Sequence, residues 1–553
     1  MNSYIKICLS LTFTILFFTC NNTKQKDNET VKKTTENKLS DITTKAFRSF
    51  EVLDSKHITK KHLWLSLKSE MEGFTQIDHD RLKPLIIEKN IPSIQNSITK
   101  GDLTYTELTQ FFLFRIRAFD RENNKSLNAV ISLNPNAITE AKKLDSIFKK
   151  NKYNSHPIFG MPLLLKDNIN TVDMPTTAGA VALKNNNTKD AFMVNVLKSK
   201  GAIILGKANL SEWAYFFCGD CPSGYSAIGG QTLNPYSRKI FDTGGSSSGS
   251  GVSVTANFCV AAVGSETSGS ILSPSSQNSV VGLKPTVGLV SRSGIVPISS
   301  TLDTAGPMTK FVIDNAILLD AMTANDEKDP KALSKPKHVY NYFSRLDDYE
   351  IKGLRLGAPK TLLKDSLFLK SIAILKTQGV KIIEFEPEDI RLNNFLSLLN
   401  LDMKNDLPTY LKQYGDVTLK TKSIEDIIAF NKKDSVKSMP YGQKLFYGVL
   451  NDKGSSDDLN KIKDTLKTNG RKFFDTPMKT LQLDGILSVN NYHASFAAVA
   501  EYPALTVPMG YSKEGEPKGL TFIAKPLEED RLLSWAYVFE KTSQARETPK
   551  DYR

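Results

Sequence analysis

The stretch Phe241–Val254, FDTGGSSSGSGVSV, packs glycine and serine more densely than a surface turn requires. It then runs without a break into VSVTANFCVAAVG, an apolar helix or strand segment that has to be buried. A flexible linker does not continue into core, so this loop must sit inside the fold. As a phosphate loop, Gly244 to Gly249 has the G-x-x-x-x-G frame, but Ser250 stands where a lysine must reach the phosphates. As a dinucleotide fingerprint it lacks the third glycine, because Val254 occupies that place. Gly245–Gly249 does fit the nucleophile elbow G-x-S-x-G with Ser247 at its centre. That reading makes the chain an α/β-hydrolase esterase with His493 as a candidate base.

The pattern around the loop alternates helix and strand. Thr104, with Glu107 three residues on, forms a capping box and opens a helix that runs to Asp120. LNAVISL follows as an extended piece, then AITEAKKLDSIFKK as a helix, and PIFGMPLLLKDNI as a buried strand ending in Lys166. AFMVNVLKSKGAIILGKANLSEW reads as helix, strand and loop. Such alternation predicts an α/β architecture, a large mixed sheet covered on both faces by helices. Residues 46–90 read as a lysine-rich helical extension that caps the main domain. Residues 331–480 read as a mostly helical insertion around the site, carrying the strands GLRLGAP and GVKIIEFE. YPALTVPMGY returns to buried-strand composition, and EEDRLLSWAYVFEKTSQ closes the chain as a helix.

The N-terminus has a lysine and then an apolar run from Ile7 to Phe18, too short to span a bilayer and of the length of a signal-peptide core. Cys20 ends that run and precedes NNTKQKDNETVKKTTENK, a tract too polar to bury a core. The arrangement resembles a bacterial lipoprotein: signal peptide 1–19, lipidation at Cys20 and a disordered tether over 20–45. It departs from the usual lipobox in having Phe17 where leucine is customary. The expected location is the cell envelope, with the membrane reached through the lipid. The net charge of +13 comes from lysines scattered along 553 residues. Without an arginine-rich helix or an aromatic-interleaved basic strip, it indicates no nucleic-acid partner. The six histidines are dispersed, so neither a metal nor an organic cofactor is expected. Cys218-Gly-Asp-Cys221 reads either as a small disulfide loop or as half a zinc site.

Six motifs stand in one order: GMPLLLKDN, NLSEW, GGQTLNPY, the GGSSSGSG loop, GSETSGSILSPS and GLKPTVGLVSRSGIVPISSTLDTAGPM. Together they resemble the amidase signature family from about residue 91 to 546, and DMKNDLPTYL, MPYGQKLF and YPALTVPMG are most similar to its peptide amidase subgroup. The resemblance implies the amidase signature fold over 91–546 and hydrolysis of a carboxamide, such as a peptide C-terminal amide, to carboxylate and ammonia. It implies a catalytic set of Lys166, of Ser246 in a cis peptide as bridge, and of Ser270 as nucleophile. The N–H groups of Thr267, Ser268, Gly269 and Ser270 would form the oxyanion hole. Glu266 would anchor that turn, and Ser247 and Ser248 would pack the loop. The expected partner is a small-molecule or peptide amide, and the oligomeric state is left open. Ser268, Leu272 and Glu501 depart from the family pattern, which bears on the substrate and not on the reaction. Besides the Ser247 esterase, the rivals are the amidase subunit of a transamidating complex acting on tRNA, which an export signal argues against, and a non-catalytic surface lipoprotein, which has no need of all three catalytic residues.

Overall fold

Leu163, Leu164 and Leu165 are apolar without alternation because their strand has neighbours on both edges and cover on both faces, the condition of parallel strands inside an α/β sheet. The computed structural model describes residues 50–151, 156–333, 341–348 and 350–553; the signal peptide, Cys20 and the tether lie outside them. Among the described residues eleven strands form one mixed sheet: β1 (Val130–Leu133), β2 (Pro162–Lys166), β3 (Ile203–Ala208), β4 (Ala261–Glu266), β5 (Val281–Lys284), β6 (Thr304–Thr309), β7 (Arg355–Pro359), β8 (Lys381–Phe385), β9 (Gly485–Val489), β10 (Ala504–Tyr511) and β11 (Pro517–Ile523). Their spatial order is β1-β3-β2-β4-β6-β5-β10-β11-β9-β7-β8. β2 runs parallel to β3 and β4, so the carboxyl ends of the three strands come together. In α/β sheets that edge is where ligands are met.

The capping box at Thr104 forms as expected and starts the helix Tyr105–Phe119. Its Leu108, Phe111, Phe112 and Ile116 enter the main core with the helices Val312–Met322 and Glu529–Ser543. Leu63, Leu67, Leu82 and Ile86 of the N-terminal extension belong to the same core, and Phe47–Arg553 is one compact unit. No helix among the described residues is long and apolar enough to cross a membrane.

The segment 331–480 is not wholly an insertion. GLRLGAP and GVKIIEFE become β7 and β8, a parallel pair joined through the helix Ser366–Thr377, and β7 pairs with β9. They therefore extend the edge of the main sheet. Of the remaining helices, Phe395–Gln413, Ile424–Lys433, Lys444–Asn451 and the first half of Ser456–Thr480 build a second apolar cluster around Trp213, Phe216 and Phe217. Cys218 and Cys221 form a disulfide beside this cluster. The remaining described cysteine, Cys259, is a buried free thiol pushed up to about 12 by desolvation.

The glycine-serine loop turns into a helix, Ser248–Thr255, in which every residue is buried. Small side chains let it approach the strand ends closely. A Cβ on Gly249 would stand 2.5 Å from the Ala129 carbonyl oxygen and from the backbone nitrogen and oxygen of Asn209. Main chain cannot give way as a flexible side chain does. Gly249→Ala should therefore lower the thermal midpoint, at a cost of about 1–3 kcal/mol for overpacking. Gly73→Ala, with nothing within 4 Å of the added carbon, serves as control. Equal midpoints for the two variants in a thermal melt would contradict this packing account.

Candidate active site

Lys166 is the last residue of β2, and its side chain is fully buried. Nζ lies 2.7 Å from Ser246 Oγ, 2.9 Å from Ser265 Oγ and 3.0 Å from the Ser265 carbonyl oxygen. No carboxylate pairs with it among the described residues. Desolvation dominates its proton affinity and pushes it down to about 7, against a weaker upward pull from Asp303 and Glu266. Lys207, one strand over, makes the contrast. It is equally buried, but Asp167 lies 3.3 Å from its Nζ and Thr176 accepts a further hydrogen bond, so its charge is balanced locally.

Ser246 follows a cis peptide bond, Gly245–Ser246, and its carbonyl accepts the Ser211 N–H at 3.0 Å. The glycines before it are required by space and dihedral. Gly244 has φ +62°, and a Cβ there would stand 2.7 Å from the backbone of Pro274. Ser247, the elbow candidate, is buried, and its Oγ donates to the Ser265 carbonyl and accepts the Ser265 N–H. His493 bonds Ser488 at 2.7 Å and is pushed down to about 4 by burial. The two residues are thus committed to different partners, and the elbow pairing is not assembled.

The Ser247 N–H donates to the Ser270 carbonyl at 3.2 Å, which ties the glycine-serine loop to the turn between β4 and the helix Leu272–Gln277. That turn holds Thr267, Ser268, Gly269 and Ser270. Gly269 has φ +91°, a left-handed conformation that a side chain would oppose. One carboxylate oxygen of Glu266 accepts the N–H groups of Ile271 and Leu272 at 2.7 and 3.0 Å, so Glu266 anchors the turn from inside. Thr267 Oγ1 donates to Asp303, whose other oxygen accepts the N–H groups of Ile298 and Ser299.

Ser265 was not singled out by the sequence, although it links the two halves of the site. It accepts from Lys166, and its Oγ also accepts from Asn168 Nδ2 at 2.9 Å. A cavity of about 490 Å³ opens beside it, lined by Asn168, Ser265, Thr267, Asp303, Asp406 and Tyr410 among others. Asp303 and Asp406 were also missed. Their signal is an acid within the motif SSTLDTAG and within DMKNDLPTYL, but only folding brings the two segments to one cavity.

A family model described as Amidase matches residues 107–440. The structure is similar to an amidase family protein from Bacillus anthracis, with TM-score 0.85 and 36% identity over 90% of this chain and 100% of that one. It is similar to the peptide amidase from Stenotrophomonas maltophilia, with TM-score 0.79 and 38% identity over 84% of this chain and 98% of that one. A probable amidase of Arabidopsis thaliana is 36% identical over 84% of this chain and 92% of its own length. With the family model spanning more than half its length, the chain belongs to the amidase signature family and is an amidase, a hydrolase of amide bonds.

Proposed function

We propose that the protein hydrolyses a primary carboxamide, with a peptide C-terminal amide as the favoured class, through an acyl-enzyme on Ser270. Ser246 relays protons, Lys166 is the base, and the N–H groups of Thr267, Ser268, Gly269 and Ser270 hold the oxyanion. The observation that carries this reading is the Lys166 Nζ to Ser246 Oγ hydrogen bond at 2.7 Å, made by a lysine pushed down to about 7. A neutral amine has two N–H donors and one lone pair, whereas three oxygens surround this nitrogen. The Ser265 carbonyl can only accept, so in the neutral form one of the two serine hydroxyls donates to Nζ. A donating Ser246 leaves its own Oγ free to accept the proton of Ser270.

In the first half-reaction Ser270 Oγ attacks the amide carbon, its proton passes to Ser246, and the Ser246 proton passes to Lys166. The carbonyl electron pair moves onto oxygen and is met by the N–H groups of the turn. Collapse of this intermediate breaks the C–N bond, and the leaving nitrogen takes the proton back from Lys166 through Ser246 to depart as ammonia. Water then attacks the ester by the same relay and releases the carboxylate and Ser270. Similarity to the Stenotrophomonas peptide amidase supports the substrate class. Ammonia should be released from peptide amides ahead of aryl amides, fatty-acid amides, asparagine and glutamine, and Ser270→Ala should release none. Full turnover by Ser270→Ala would contradict the assignment.

The chain is further proposed to be exported and anchored through a lipid on Cys20. The short apolar segment before Cys20 and the polar tract after it support this. So does the Cys218–Cys221 disulfide, which suits an oxidising compartment. A fatty-acid analogue should label the wild type and not Cys20→Ser; equal labelling of both would end the idea.

A further inference from the structure

The cavity beside Ser265 carries an imbalance of charge that the proposed mechanism does not use. Asp406 extends into its lining from the helix Phe395–Gln413, and one of its oxygens accepts the Ser300 N–H at 2.6 Å. No cation pairs with Asp406 among the described residues. Burial pushes it up to about 6, and its charged neighbours, the carboxylates Asp402 and Asp303, push in the same direction. The guanidinium in the lining, Arg292, is already held by both oxygens of Asp329, at 2.5 and 3.0 Å. Lys463 is spent on Asp402 at 2.9 Å. The remaining cation of the lining, Lys328, is exposed.

A second observation comes from Asn168, also in the lining and 2% exposed. Its Nδ2 donates to Ser265 Oγ and to the Val296 carbonyl, which fixes the amide plane, while Oδ1 is buried and accepts no hydrogen bond. A buried acceptor without a donor is costly. A carboxylate without a cation and a fixed acceptor without a donor ask for the same ligand chemistry, a positively charged group rich in N–H. Resting on the amidase reading above, we infer that this cavity receives an ammonium group of the substrate, so that the amides preferred by the enzyme carry a protonated amine. Asp406 supplies the opposing charge and Asn168 Oδ1 a directed acceptor.

The test compares ω-aminovaleramide with hexanamide, its methyl-terminated isostere, by ammonia release from the full-length enzyme. The charged amide should have the higher kcat/KM by at least about tenfold, the worth of one hydrogen bond to a charged group. Asp406→Asn should bring the ratio near one, and Asp406→Glu, which keeps the charge, should retain a preference. Equal or better turnover of hexanamide by the wild type overturns the inference without reference to any variant. So does an unchanged ratio in Asp406→Asn, or no turnover of ω-aminovaleramide while other amides are cleaved. Release of ammonia from no amide at all overturns the amidase substrate reading itself, and this inference with it.

Discussion

The hydrogen bond between Lys166 Nζ and Ser246 Oγ, made between two fully buried side chains, is the contact on which the arrangement of this molecule turns. A lysine in that position is cheap to neutralise and expensive to charge. Keeping it so requires β2 to be walled by β3 and β4 and its carboxyl end to be closed by the glycine-serine loop. It also requires the absence of a nearby carboxylate partner, which is where Lys166 and Lys207 part ways. The loop must bring Ser246 down onto the lysine while the following helix lies flat against the sheet, and only small residues permit both. The Ser265 carbonyl, shared by Lys166 and Ser247, fixes the lysine and the loop to one atom.

Much of this was legible in the sequence, and for physical reasons. The uninterrupted LLL before Lys166 marks a strand covered on both faces, so the lysine after it had to be buried. The density of glycine and serine marked a loop forced against main chain. Thr104 and Glu107 announced their helix through a local hydrogen-bond exchange that needs no tertiary context. What escaped depended on distant segments meeting. GLRLGAP and GVKIIEFE read as strands, but their place at the edge of the main sheet follows from pairing with β9, more than a hundred residues later. Ser265 and Asp303 gain their positions from strand register and from turns across the sheet, and Asp406 from a helix of the second cluster. None of these has a local signature beyond a polar residue within its motif.

The departures from the family pattern acquire physical readings. Leu272 is buried in an apolar cluster with Phe474, Tyr502 and Ala504, so an arginine there would lose its water without gaining a partner from that cluster. Glu501 takes a left-handed conformation, φ +62°, at the end of the helix Ala494–Ala500, a place that suits glycine. Its carboxylate lies within 4 Å of Lys331, Lys467 and Arg471, which tie the long helix Ser456–Thr480 to the loop after Asp329. Ser268 faces Ser495 at 2.9 Å, linking the turn after β4 to that same short helix.

The role of Lys166 as a neutral base is tested most directly by kcat/KM on one good amide from about pH 6 to 10 for the wild type, Lys166→Ala and His493→Ala. A lysine whose folded pKa is lowered to about 7 is an ammonium below that value and cannot accept a proton, so wild-type activity should rise with pH through about 7 and level off above it. Lys166→Ala should lose at least about 10²–10⁴-fold, the worth of a general base. His493→Ala, a histidine already neutral across this range, should change little. Near-normal turnover by Lys166→Ala with a dead His493→Ala would contradict the account.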